Sequence, residues 1–519
     1  MTICSALLRM FCVALLLLLL CAPQRLKVVD AATAGTTKEK LEVSLSLLGN
    51  LNYDAFFGRP GGYGMCNQGH PSIATPGCDS PMKLIRSVMD DVTHWNRSFT
   101  LITGGLLRHG TDSITTTEVE TMMGDVLDVI GKSSNSSNVG GEGMTFSTQV
   151  AIGGKDVVPP DSFTSEGRQP QFMWLIGLME SKGIISAAEH KKMATCGYYF
   201  RDPSGTKLRV ISLNTMLWSK TLQPVLGVGE VDPCGQFLFL QNAIDQATQR
   251  RRSVIIIGDT PPVINVAEAL RKGSIADADL YWREDFRDSY FRIIAAYRFV
   301  VAAQFFGHPS TFSFLVSPEV GPPLYIVPPI SPVRGSNPSY LRATLDSRTN
   351  RVVSLTQRYL SENGTWVEGE SLENVIEVPM REKGEYLPEN FLLITEQEKK
   401  WGKLMAMRAG GRFLTEKSAC GMWCRRVIAC ASRFYRKTNI ERCAHINLPS
   451  QRLGLILAVV FACFAVLLIA LSFCYMITHY KVIFHPPGVV GVRKGRQRLF
   501  SGHTDVVFNE RGWGLGETL

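Results

Sequence analysis

The sequence predicts a layered α/β fold, an α/β/α sandwich, and three observations carry that reading. Val301 to Phe314 (VAAQFFGHPSTFSF) is an apolar run rich in β-branched and aromatic residues that stops abruptly at Gly307-His308-Pro309. This is the pattern of a buried strand delivering a histidine into a loop at its carboxyl end. Ser253 to Pro262 (SVIIIGDTPP) and Phe99 to Gly105 (FTLITGG) repeat the form. Such strands also alternate along the chain with helical stretches, which builds sheets covered by helices. Ligands of α/β folds gather at the carboxyl ends of strands, so several strands ending in glycine-plus-polar turns point to a metal-dependent hydrolase scaffold.

Taken in order, Leu41 to Leu48 reads as a strand and Gly58 to Cys78 as a loop rich in glycine, proline and cysteine. A helix is expected from Ser80, as N-cap with Pro81 at the first helical position, to about Asn96. After the strand at Phe99, Thr117 to Ile130 is helical and Lys132 to Gly143 is a Ser/Asn/Gly surface loop. Phe146 to Ile152 is a strand running into Gly153-Gly154-Lys155-Asp156, and helices fill Gln171 to Met193. Strand at Arg209 to Leu213, helix at Gln236 to Arg250, strand at Val254 to Ile257 and helix at Asp285 to Tyr297 lead to the strand at Val301. Leu324 to Pro328 and Arg351 to Tyr359 are further strands.

At 519 residues the chain has room for one large domain with accessories. Its net charge of +9 is concentrated late, in Arg425, Arg426, Arg433, Arg436, Lys437 and Arg442, and again in Arg493, Lys494, Arg496 and Arg498. No basic-aromatic platform accompanies that charge, so nucleic acid is not an expected partner. The two ends are apolar. Residues 1–34 have the plan of a secretory signal peptide, with an uncleaved signal anchor as the alternative. Leu453 to Ile477 is 25 residues without a charged side chain, enough to cross a bilayer as a helix. Basic residues follow it, so residues 478–519 are expected in the cytosol and the body outside it, as in a single-pass type I membrane protein. Asn96, Asn135 and Asn363 begin glycosylation sequons. Eight of the 13 cysteines lie between the apolar ends, and Cys420, Cys424, Cys430 and Cys443 lack the spacing of zinc ligands. Disulfides and an oxidising compartment are the expectation.

Several ordered motifs together resemble the calcineurin-like metallophosphoesterases, in the branch of acid sphingomyelinase and the acid sphingomyelinase-like phosphodiesterases. They are CNQGHPSIATPGCDSP (Cys66 to Pro81), TGGLLRH (Thr103 to His109), GGKDVVPPDSF (Gly153 to Phe163), DPCGQFLFL (Asp232 to Leu240), IIGDTPP (Ile256 to Pro262), AAQFFGHP (Ala302 to Pro309) and ISPVRGSNPSYLRATLD (Ile330 to Asp346). The resemblance runs from about Leu41 to Ile446. It implies a phosphoesterase domain over 35–380, a helical disulfide-rich region over 381–450 and the span at 453–477. It also implies the pairs Cys66 with Cys78, Cys420 with Cys424 and Cys430 with Cys443, leaving Cys196 and Cys234 to pair with each other or stay free.

Enzymes of this family hold two metal ions at strand ends, which polarise the phosphoryl group and supply a hydroxide. Where the family's first strand ends in Asp-x-His, this chain has Asn50 and Asn52. Where the second ends in Gly-Asp, carrying the bridging carboxylate, it has Gly104-Gly105. Gly153-Gly154-Lys155 replaces Gly-Asn-His, Gly258-Asp259 replaces Gly-His, and of the final Gly-His-x-His only His308 survives, Ser310 standing in the second place. Asn50, Asn52 and Asp259 still offer oxygens to a hard cation. Glycine cannot bridge two metals, however, and the Lys155 ammonium would oppose one. No metal cofactor is therefore expected, zinc or another divalent ion being the alternative. His109, Lys155 and His308 are the candidates for a remnant pocket, each set against a plain structural or surface role. Asp156 and Asp259 are then expected to pair with Lys155 or His308.

These readings lead to a membrane-anchored relative of the acid sphingomyelinases that has lost catalysis and binds through its surface or cleft, with a phosphorylated headgroup as a possible ligand. An active phosphodiesterase with an altered metal site is the alternative.

Overall fold

The computed structural model describes residues 43–64, 66, 72–94, 98–135, 148–163, 170–227, 229–317, 319–346, 348–376, 389–411, 420–445 and 449–483. The leader at 1–34, the sequon at Asn96 and the tail from residue 484 lie outside them. Among these residues twelve strands form two mixed six-stranded sheets. The first has the order β12-β11-β10-β1-β2-β3, where β1 is Val43–Leu48, β2 Ser98–Ile102, β3 Thr148–Val150, β10 Ser339–Leu345, β11 Val352–Leu360 and β12 Trp366–Ser371. The second has the order β4-β5-β6-β7-β9-β8, where β4 is Tyr199–Arg201, β5 Leu208–Ser212, β6 Ser253–Gly258, β7 Val301–Phe306, β8 Ser313–Leu315 and β9 Leu324–Ile326.

The helices are α1 (Met82–Thr93), α2 (Thr116–Asn135), α3 (Pro170–Ser181), α4 (Ala187–Cys196), α5 (Gln236–Gln249), α6 (Val266–Lys272), α7 (Glu284–Ala296), α8 (Leu372–Ile376), α9 (Glu398–Arg408), α10 (Met422–Ala431), α11 (Lys437–Ala444) and α12 (Pro449–Ile483). Strands read from apolar runs are buried on both faces: every residue of β5 and β7 is buried, as expected for parallel strands covered by helices. One buried cluster joins Leu84 and Val88 of α1, Val126 and Ile130 of α2 and Ile102 of β2 to Ile256 of β6, Phe306 of β7, Leu240 of α5 and Tyr290 of α7. The chain divides into a body up to residue 446 and a second unit from Asn447 onward. Within α12, Leu457–Met476 is long and apolar enough to cross a membrane.

Three parallel strands of each sheet set up the functional end of the body. Leu48, Ile102 and Val150 lie side by side across β1, β2 and β3, and Gly258 lies opposite Phe306 across β6 and β7. Their carboxyl ends therefore finish together. The disulfides are Cys66–Cys78, Cys196–Cys234, Cys420–Cys424 and Cys430–Cys443. Four disulfides mark an oxidising compartment, so the body is extracellular or lumenal.

Some local expectations are corrected. Ser80 does not cap α1: its backbone is bonded to Asn52 and Asp54, so Pro81 takes the cap position and the helix starts at Met82. The expected loop at Lys132 is still helix as far as Asn135, with the Lys132 cation in the last turn, where the helix dipole favours it. The helical stretch from Gln171 is two helices, broken at Gly183, and the second continues to Cys196. Strands β4, β8, β10 and β12 were not separately expected. β4 and β8 are three residues each, and no residue of β12 is fully buried, so none of these three carries the apolar run that marks β5 to β7. Asn363 sits exposed in the turn between β11 and β12.

Candidate functional site

The five strand-end loops meet at one place, and backbone strain marks it. Among the described residues seven non-glycine positions have positive φ, and four of them are Asn50 (46°), Asn52 (42°), Asp161 (56°) and His308 (70°). Such conformations persist only where the surroundings hold them. Asn50 shows how. Its side-chain Nδ2 donates to the His308 carbonyl and its Oδ1 accepts from the His308 N–H, both at 3.0 Å. The loop after β1 is thereby clamped to the loop after β7.

Asp156 performs the second clamp. Its fully buried carboxylate accepts N–H bonds from Gly105 (3.1 Å), Leu106 (2.7 Å), Leu107 (3.1 Å) and Gly153 (2.8 Å). It ties the loops after β2 and β3 together, so the expectation that it pairs with Lys155 or His308 is corrected: its lone pairs are taken by the backbone. Burial, and then the neighbouring charge of Asp259, push its pKa up to about 7 against the pull of those N–H groups. Asp259 does approach His308, whose Nδ1 lies 3.6 Å from its Oδ2. The edge of the Tyr281 ring meets His308 at 5.3 Å between centroids.

His109 is held from behind. Its backbone N–H and its Nδ1 bond to the buried Asp79 carboxylate at 2.8 Å and 3.0 Å, Ser331 Oγ donates to the same carboxylate at 2.9 Å, and Tyr63 stacks on the imidazole at 5.0 Å. With Nδ1 engaged, Nε2 is the nitrogen left for the cleft. Lys155 is half-buried at the start of a short turn after β3. Burial pulls its pKa down, while the carboxylates of Asp259, Asp79, Asp156 and Asp161 pull it up. Burial also raises Asp161, with His308 opposing. His109, Lys155, His308 and Ser310 all line a single cleft of about 1470 Å³, whose farther wall includes Phe314, Ile428 and Phe434. Sequence reasoning had missed Asp79 and Asp161. The signal for each was an acid inside a motif already singled out, GCDSP and VVPPD.

Two metal ions do not fit these residues. Gly105 supplies no carboxylate to bridge two metals, and with φ of +67° a Cβ there would stand a tight 3.1 Å from Asn50 Oδ1 and 3.3 Å from Asn52 Oδ1. A Cβ on Gly104 would meet the Cβ of Asp259 at 2.9 Å. Gly154 is packed directly against the Asp161 carboxylate. The Asn52 amide is buried without a hydrogen-bond partner among the described residues. No three His, Cys, Asp or Glu side chains among those residues are grouped to hold a metal. Asn50 is thus committed to clamping the His308 loop, and Asp259 stands beside the His308 ring.

A two-sheet α/β body that brings five strand-end loops to one cleft is the scaffold of the calcineurin-like metallophosphoesterases. The chain is similar to proteins of their acid sphingomyelinase-like branch. It is 30% identical over 190 residues to the cyclic GMP-AMP phosphodiesterase SMPDL3A of Bos taurus, covering 34% of this chain and 39% of that protein. It is 25% identical over 291 residues to the sphingomyelinase phosphodiesterase D of Dictyostelium discoideum, covering 54% and 60%. The matches therefore span less than two thirds of the length of these relatives. A dimetal phosphatase from Danio rerio aligns with a TM-score of 0.36 and 8% identity over 61% of this chain and 95% of that one. No family model matches the chain.

Proposed function

We propose that this protein is a membrane-anchored phosphodiesterase homologue that binds rather than hydrolyses. The observation that carries the reading is Gly105, which has no side chain to bridge two metals and whose left-handed φ of +67° disfavours one beside the amides of Asn50 and Asn52. With Lys155 in place of a histidine and Ser310 in place of another, neither a metal-bound hydroxide nor its bridging ligand has residues to hold it. What remains is a cleft edged by Lys155, His109 and His308. Those groups suit a phosphate-bearing ligand through charge-assisted hydrogen bonds, the ammonium serving where metal charge serves in the family. A leader at 1–34, glycans at Asn363 and at the other sequons, and the span at Leu457–Met476 complete a type I arrangement.

The test is metal content and bis-p-nitrophenyl phosphate turnover of the purified protein. The expected result is substoichiometric zinc, manganese and iron with no turnover above buffer. Stoichiometric metal with turnover would establish the active phosphodiesterase instead.

A further inference from the structure

The four disulfides are not equivalent. Cys66, Cys78, Cys430 and Cys443 are at most 3% exposed; Cys196 is 2% exposed, and its partner Cys234 is half-buried but does not line the cleft. Cys420 and Cys424 are half-buried, and both line the cleft, so solutes reach their sulfurs without unfolding the body. Their setting is also chemically distinct. Gly421 is the N-cap of the ten-residue α10, which places Cys424 in its first turn while Cys420 stays outside the helix. Unpaired N–H groups and the positive end of the dipole stabilise a thiolate at that point, and Arg425 and Arg426 follow it directly. Arg425 also donates from Nε to the Cys420 carbonyl at 3.1 Å, while its own guanidinium is fixed by Glu398 at 2.5 Å and by the Thr395 carbonyl at 3.2 Å. Cys420 is therefore held beside the helix end by a bond that does not involve sulfur.

We infer that Cys420–Cys424 is a thiol-exchange site, the one bridge of the four built to open and re-form in the folded protein, and that its partner is a low-molecular-weight thiol or the dithiol of an oxidoreductase. The thiolate of the partner attacks Cys420 Sγ, the Sγ–Sγ bond breaks, and its electron pair leaves on Cys424 Sγ, the sulfur the helix end stabilises. A second partner thiol then displaces Cys420 from the mixed disulfide. Two partner thiols become one disulfide, and the bridge gains two electrons and two protons. Because Arg425 keeps Cys420 in place, the dithiol is poised for reoxidation. When the bridge opens α10 stays anchored farther along, where Val427, Ile428 and Ala429 are buried and Cys430 is bridged to Cys443.

The experiment is titration of the full chain in detergent micelles with glutathione redox buffers, trapping with iodoacetamide and peptide mapping. Alkylation at Cys420 and Cys424 is expected at a thiol concentration at least about tenfold below that needed for Cys66, Cys78, Cys196, Cys234, Cys430 or Cys443, with the far-ultraviolet circular dichroism unchanged. Opening of all bridges together, or of a buried bridge first, would overturn the inference. A second measurement follows alkylation rate against pH in the Cys420→Ser variant. The Cys424 thiol should ionise below the ordinary value of about 8.5, and an ordinary or raised value would count against the leaving-group assignment.

Discussion

Removing the Asp156 carboxylate should loosen the junction on which the whole site rests. In Asp156→Ala four buried N–H groups, of Gly105, Leu106, Leu107 and Gly153, lose their acceptor at once. Each orphaned donor costs about 1–3 kcal/mol. Water entering the vacated space satisfies some of them, so the lower end, about 4 kcal/mol in all, is the expected loss. Against a typical global stability of about 5–15 kcal/mol, that is enough to leave the body marginal. Asp156→Asn keeps one oxygen for two of the donors and turns an NH2 toward the other two, so about half the loss, roughly 2 kcal/mol, is expected. The assay is urea denaturation followed by tryptophan fluorescence, reading the midpoint at constant slope. Ala and Asn variants both within about 0.5 kcal/mol of wild type would refute the clamp, since surface-like tolerance of that size is incompatible with four dependent bonds.

The remaining predictions follow from the same geometry. Because the Asp156 pKa is raised to about 7 in the folded state, above its ordinary 3.8, the folded protein binds the extra proton between those values. Stability should therefore fall as pH rises from about 4 to about 7 and level off above, and Asp156→Asn should flatten that slope in urea titrations. Gly105→Asp should not create turnover with added zinc or manganese. It should instead lower stability by at least about 1–2 kcal/mol, the cost of a side chain at left-handed φ, before any overlap with Asn50. Phosphocholine should bind the wild-type cleft weakly by calorimetry and Lys155→Ala should abolish that binding with the thermal midpoint unchanged; equal binding by both would return Lys155 to a structural role. The thermal midpoint should also be indifferent to strong chelators, a shift of several degrees showing that a bound metal supports the fold.

The parts of this molecule legible in its sequence were those whose signal is local and repeated. β5, β6 and β7 announced themselves as short apolar runs because helices bury both of their faces, and α12 did so through its uninterrupted apolar length. β12 was silent because none of its residues is fully buried, and β10 because Arg342 and Thr344 alternate with its buried residues, so it carries no continuous apolar run. Ser80 misled for a different reason: the local signature of a helix cap was present, but bonds to Asn52 and Asp54 across the chain took its backbone first.

The site divides along the same line. Which residues stand at the strand ends was readable, since each follows its strand within five positions. What those residues do was not, because a carboxylate carries no mark in the sequence of whether its lone pairs will meet a cation, an ammonium or a row of backbone N–H groups. Asp156 lies next to Lys155 in the chain and appeared to be its partner, yet the turn after β3 folds it inward onto the Gly105–Leu107 backbone. Asn50 carries the complementary lesson. An amide, unlike the carboxylate of the family pattern, both donates and accepts, and it uses both capacities on the two backbone groups of His308. Asn at this strand end thus ties the loops after β1 and β7 together with a bond in each direction, where a carboxylate could only accept.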